Sequence, residues 1–173
     1  MHPTVPWLAA CLTLSAGAAG AGEAFVGAYA HDIHIFTVGG FERGAEISAG
    51  YRSSPLSALG FIGGPSLYGF GAANTAGGLD YAAAGLSWRF GDRFYVRPGI
   101  GIGVHDGRVG KFQVGNELNL GSRVLAELEL GAGWRINRRV SLEASMVHMS
   151  HAHLAGRQNP GLADVGLRLN YAF

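Results

Sequence analysis

The chain reads as an all-β protein, an eight-stranded antiparallel transmembrane β-barrel, and three observations carry that reading. Its apolar residues recur at every second position, the period of strands rather than helices. The 173 residues include 29 glycines and are 48% hydrophobic but only 14% charged, whereas a soluble domain carries about 25% charged residues. Eight alternating segments can be counted, joined in turn by tight and long connections. Bacterial outer-membrane barrels have an even strand number, short periplasmic turns and long outer loops.

Taken in order, residues 1–21 read as a secretory signal peptide. WLAACLTLSAGAAGA is apolar and ends in small residues, with Ala19-Gly20-Ala21 as the cleavage site. The leading MHPTVP carries no lysine or arginine. Leu8-Ala9-Ala10-Cys11 resembles a lipoprotein box, but too few residues precede the cysteine. Cleavage after Ala21 removes Cys11, the only cysteine, so the mature chain 22–173 needs no disulfide.

No window after residue 21 offers about 18 uninterrupted apolar residues, so no membrane helix is expected. Strands are predicted near 25–35, 45–53, 65–73, 79–90, 94–105, 122–136, 140–150 and 162–173. In the fifth, Phe94, Val96, Pro98, Ile100, Ile102 and Val104 oppose Tyr95, Arg97 and glycines. In the sixth, Val124, Ala126, Leu128, Leu130, Ala132 and Trp134 oppose Glu127, Glu129 and Arg135. Unpaired carboxylates inside an apolar core are costly, whereas a polar lumen can pair them, and Arg97 and Arg135 are the expected partners. The eighth alternates Val165, Leu167, Leu169, Tyr171 and Phe173 with Asp164, Gly166, Arg168 and Asn170. Turns 91–93 and 137–139 and the amino terminus are expected on the periplasmic side. The longer connections 106–121 and 151–161 are expected outside, and 54–64 is long for a periplasmic turn. A soluble sandwich would also alternate, but the leader, the glycine load and the aromatic strand ends favour the membrane.

The seventh strand carries the chemistry. Leu142, Ala144, Met146, His148 and Ser150 share its apolar face, so His148 and Ser150 point towards lipid near the outer end. Polar groups there cost stability unless they meet headgroups or substrate. Two residues apart on one strand face, their backbones are roughly 6–7 Å apart, within reach of an imidazole–hydroxyl contact. Serine needs such a base because its hydroxyl is a weak nucleophile near neutral pH. His-x-Ser alone also suits a polar rim. A metal site built from His148, His151 and His153 is disfavoured, because His148 and His151 point to opposite faces and no cysteine or carboxylate cluster adjoins them. No metal and no cofactor is expected. A net charge of +1 and the lack of any basic run or RNA-binding motif leave no role for nucleic acid.

The stretch H-M-S-H-A-H-L at 148–154, then N-P-G at 159–161 and a last strand ending Y-A-F, resembles the outer-membrane lipid A 3-O-deacylase family. That family's motif is commonly His-x-Ser-Asn-Ala followed by Asn-Pro-Gly. The resemblance implies an eight-stranded barrel in the bacterial outer membrane. It also implies a serine esterase site on the outer wall, acting on an ester-linked acyl chain of lipid A in lipopolysaccharide. His148 then matches the base and Ser150 the nucleophile. Asn159 matches the loop asparagine that helps to hold the oxyanion, with Pro160 and Gly161 fixing the turn.

This chain departs from the motif at two places: His151 stands where asparagine is usual, and Ala163 occupies the usual position of the acid. Asp164 is the nearest carboxylate and the candidate acid, although strict alternation turns it inward, where it could instead pair with Arg168. A backbone carbonyl completing the Ser–His pair stays open. The apolar wall of Ala126, Leu128, Leu142, Ala144 and Met146 is expected to lie along the acyl chains. Expected partners are lipid A and outer-membrane lipids, and a homodimer is left open. His31, Asp32 and His34 read as rim residues. The competing function is a non-catalytic structural or adhesive outer-membrane barrel, which the missing acid favours.

Overall fold

The computed structural model describes residues 22–35, 37, 40–110, 118–151 and 159–173. The expected signal peptide 1–21, with Cys11, and His153 lie outside the described residues.

Eight strands form the wall: β1 Gly22–Ala30, β2 Ala45–Ser53, β3 Ser66–Asn74, β4 Tyr81–Ser87, β5 Phe94–His105, β6 Val124–Arg135, β7 Val140–Ser150 and β8 Leu162–Ala172. A two-residue piece, Phe90–Gly91, prolongs the β4 edge beyond Trp88. Each strand pairs antiparallel with the next, and β1 pairs with β8. The sheet therefore closes on itself and leaves no unpaired edge, as a spanning sheet requires in lipid.

The alternation seen in the sequence is the alternation of the wall. Ile102 is 63% exposed and Leu167 56%, while Glu127, Glu143 and Arg168 are fully enclosed. Such an inversion of the usual globular pattern is stable only where the outside is hydrocarbon. Towards one end the outer face becomes aromatic. Phe94 stacks on Trp134 with ring centroids 6.3 Å apart, and Tyr171 meets Phe173 edge-on at 5.6 Å. These rings form the girdle that sits at the membrane interface.

The lumen is filled rather than open. Arg52 joins Glu129 at 2.7 Å and Glu23 at 2.7 Å, and Arg168 joins Glu129 at 2.9 Å. The expected pairing of Arg97 and Arg135 with Glu127 and Glu129 is corrected here. Arg97 meets Glu23 and Glu143, Arg135 meets Asp92, and Glu127 accepts from the Tyr68 hydroxyl. In a narrow closed barrel a long side chain reaches across the lumen as readily as to the adjacent strand, so adjacency does not choose the partner. Arg135 stands where β6 leaves the wall and so serves the nearby turn.

Two further differences have local causes. β1 ends at Ala30 rather than near 35, because Asp32 adopts a left-handed conformation (φ 49°) that turns the chain off the sheet. Segment 54–64, long for a turn, is occupied by a 3₁₀ helix, Ser57–Ile62, closed by Gly63 and Gly64 at positive φ. Trp88 fastens it by donating from its indole N–H to the Ile62 carbonyl at 2.8 Å.

Candidate active site

β7 brings its polar pair together on the outer wall, as the alternation predicts. His148 Nε2 lies 3.2 Å from Ser150 Oγ. Leu128 stands beside His148 and Ala126 beside Ser150 on β6, and Ala163 stands beside His148 on β8. Ser150 is half-buried, and its neighbour Ala126 is small. Leu128, Leu130 and Leu142 continue an apolar wall away from it, each roughly half exposed.

The chain returning into β8 covers the pair. Gly161 has φ 71°, and a β-carbon built there would lie 3.3 Å from His148 Cε1 and 3.1 Å from Thr37 Cγ2. Glycine at this position therefore lets the backbone turn and lets imidazole and loop approach it. Asn159 accepts from the His151 backbone N–H through Oδ1 at 3.0 Å. That bond settles which end of the amide is which and leaves Nδ2 as a donor one residue from Ser150.

Asp164 does not join the pair. Its Cα partner is Val147, an inward residue, and the carboxylate is wholly buried on the lumen side. Oδ1 accepts from the Asp32 N–H at 3.0 Å and lies 3.1 Å from His31 Nδ1, and Oδ2 accepts from the Tyr81 hydroxyl at 2.8 Å. Alternation holds without a bulge, so the barrel wall separates Asp164 from His148. The alternative pairing with Arg168 is not formed either, since that guanidinium is engaged by Glu129, Glu143 and Tyr29. His148 Nδ1 is buried with no hydrogen bond of good geometry, and the backbone of Leu162 is the group that interacts with the ring.

Two of the three residues read as rim, His31 and Asp32, are the ones on Asp164. His31 is buried among three carboxylates: Asp164, Glu46 at 3.2 Å and Glu42 at 3.2 Å. Burial alone would lower its pKa, but hydrogen bonds to Asp164 and Glu42 and the charges of Asp164 and Glu46 push it up to about 10. Burial opposes ionisation of Glu42, yet His31 and the backbone N–H groups of Leu79 and Leu118 hold its pKa down. Asp32 turns back to accept from the N–H groups of Phe41 and Glu42, and burial raises it. Adjacent ionisable residues His31-Asp32 following an apolar strand were the available signal; their partners 132 and 133 residues away were not.

The family model described as "Lipid A 3-O-deacylase (PagL)" matches residues 65–172, a span that contains His148, Ser150 and the Asn159–Gly161 turn. Among solved structures, the crystal structure of the outer membrane enzyme PagL is similar with a TM-score of 0.58 at 19% identity. The match covers 87% of this chain and 98% of that one. A structure from the de novo design of transmembrane β-barrels is similar with a TM-score of 0.51 at 10% identity, covering 88% of this chain and 95% of that one. At such identities the likeness is one of fold. No curated protein sequence matches the chain.

Proposed function

This chain belongs to the lipid A 3-O-deacylase family, as the match over most of its barrel shows, and from that premise we propose that Ser150 and His148 are its nucleophile and base. The protein is an outer-membrane ester hydrolase that removes an acyl chain from lipid A. The observation that supports the assignment is the 3.2 Å contact between His148 Nε2 and Ser150 Oγ on the lipid-facing side of the wall.

Substrate arrives sideways, in the plane of the outer leaflet, with its acyl chains along Leu128, Leu142 and Met146. Ser150 Oγ attacks the carbonyl of the ester at position 3 of a glucosamine, and His148 Nε2 takes the hydroxyl proton. Asn159 Nδ2 donates to the oxygen that becomes negative. The carbon–oxygen bond to the sugar breaks, and His148 returns the proton to the sugar oxygen. Water, deprotonated by His148, then attacks the acyl-serine; the fatty acid leaves and Ser150 regains its proton. Among the described residues no carboxylate reaches His148, so the pair works with the main chain of Leu162 beside the ring rather than with Asp164.

The test is the mass of lipid A recovered after incubating lipopolysaccharide with the purified barrel. Loss of one ester-linked acyl chain with wild-type protein, and of almost none with His148→Asn, is expected. Unchanged lipid A with folded wild-type protein would instead favour a structural barrel.

A further inference from the structure

The buried cluster on the inner side of the wall, directly behind the site, has the wrong composition for a purely structural core. Three carboxylates, Asp164, Glu42 and Glu46, converge on the single imidazole of His31. Both oxygens of Glu46, and Oδ1 of Asp32, are buried without a hydrogen bond. Crowding carboxylates in a buried site is expensive, and an apolar replacement of similar volume is often at least as stable. What the cluster does achieve is attachment. Glu42 joins the loop after β1 to the backbones of Leu79 and Leu118. Asp32 N–H donates to Asp164, and Ile33 N–H donates to the carbonyl of Ala163 at 2.9 Å. Ala163 is the residue paired with His148, and Thr37 of the same loop and the His148 ring both lie close to Gly161, where a β-carbon would meet them at 3.1 and 3.3 Å.

We infer that His31 is a positioning residue of the deacylase: through Asp164 it pins the first residues of β8 and the described residues of the loop after β1, and these hold the His148 ring towards Ser150. The inference rests on the Ser150–His148 reading above. It supplies what that reading lacks, namely a device that orients the base where, among the described residues, no carboxylate does so. His31 acts from the lumen and touches neither substrate nor the reacting atoms. The groups facing it are Asp164 from β8, Glu46 from β2 and Glu42 from its own loop, with Tyr81 of β4 completing Asp164. Among the described residues every ionisable side chain within 3.2 Å of His31 is a carboxylate, so the role calls for a cation, and a neutral isostere should fail where another cation serves.

The experiment uses His31→Gln, His31→Arg and Asp164→Asn in the full barrel, each shown folded by its heat-dependent gel mobility. It measures kcat and KM on lipopolysaccharide and the rate at which a fluorophosphonate labels Ser150. Expected for His31→Gln is a fall of tenfold or more in kcat and in labelling rate, with KM within twofold. His31→Arg should retain most of both. Asp164→Asn, which breaks the pair from the other side while still accepting from Asp32 N–H, should match His31→Gln even if the latter folds poorly. Wild-type kcat and labelling in folded His31→Gln would overturn the inference. So would a loss in His31→Arg equal to that in His31→Gln, or a loss in Asp164→Asn alone. If Ser150→Ala is inactive while His31→Gln is fully active, only the positioning role falls; if Ser150→Ala is active, the underlying assignment falls first.

Discussion

His148 and Ser150 meet because residues two apart on a strand share a face, and that much was legible in the sequence. Their surroundings were not. Asn159 reaches the His151 N–H, next to Ser150, from across a loop, and its proposed oxyanion role is tested by Asn159→Ala, expected to lower kcat by about 10²–10³ with little change in KM. Gly161→Val should be worse than its size suggests. It combines a strained positive φ with a β-carbon only 3.3 Å from the His148 ring, and loss of esterase activity in a folded barrel is the expected readout. Ala163, the position where an acid is usual, faces outward by register yet is fully buried, so alternation alone misjudges the room available for a carboxylate there. His31 adds a pH effect whose sign follows from its raised pKa, about 10 against an ordinary 6.5. Its contribution to stability is fully present below the ordinary value and is lost as pH rises towards about 10. Urea unfolding in detergent should therefore show the stability difference between wild type and His31→Gln shrinking from pH 6 to pH 10; a constant difference would show that His31 is not the charged hub.

At the scale of elements, the strand count and most boundaries could be read because one face of each strand must match lipid and the other must not, although the fourth strand spans Tyr81–Ser87 rather than 79–90. β1 escaped because a single left-handed residue, Asp32, ends it and no alternation rule marks that position. The 3₁₀ helix Ser57–Ile62 escaped because its fastening is a contact with Trp88, remote in the sequence. β8 makes the barrel's seam with β1, and its end is bound twice: Phe173 N–H donates to the Gly22 carbonyl at 3.0 Å, and its ring packs on Tyr171. Removal of Phe173 should reduce the fraction of folded barrel in outer-membrane extracts, read by gel mobility with and without heating. An undiminished folded fraction would show that the seam does not need its terminal aromatic.

For the whole molecule, the closed wall determines stability and, with the proposed site on its outer face, the direction from which substrate would come. Lumen pairings could not be read from the sequence, since each arginine had several carboxylates within reach across the barrel. They are nonetheless demanding once made. Arg168→Met leaves Glu129 and Glu143 with one guanidinium fewer, and loss of a buried partner costs about 3–5 kcal/mol in comparable cases; urea unfolding should show a loss of that order. With the short turns on the periplasmic side, as such barrels have them, a cysteine at the exposed Val109 is expected to label on intact cells and one at Asp92 is not. The central claim is that this barrel is an esterase whose nucleophile is Ser150 on its outer wall, and it is tested most directly by Ser150→Ala. Mass spectrometry of lipid A exposed to that variant should show no deacylation while heat-dependent gel mobility shows an intact barrel. Deacylation at the wild-type rate by folded Ser150→Ala would contradict the account.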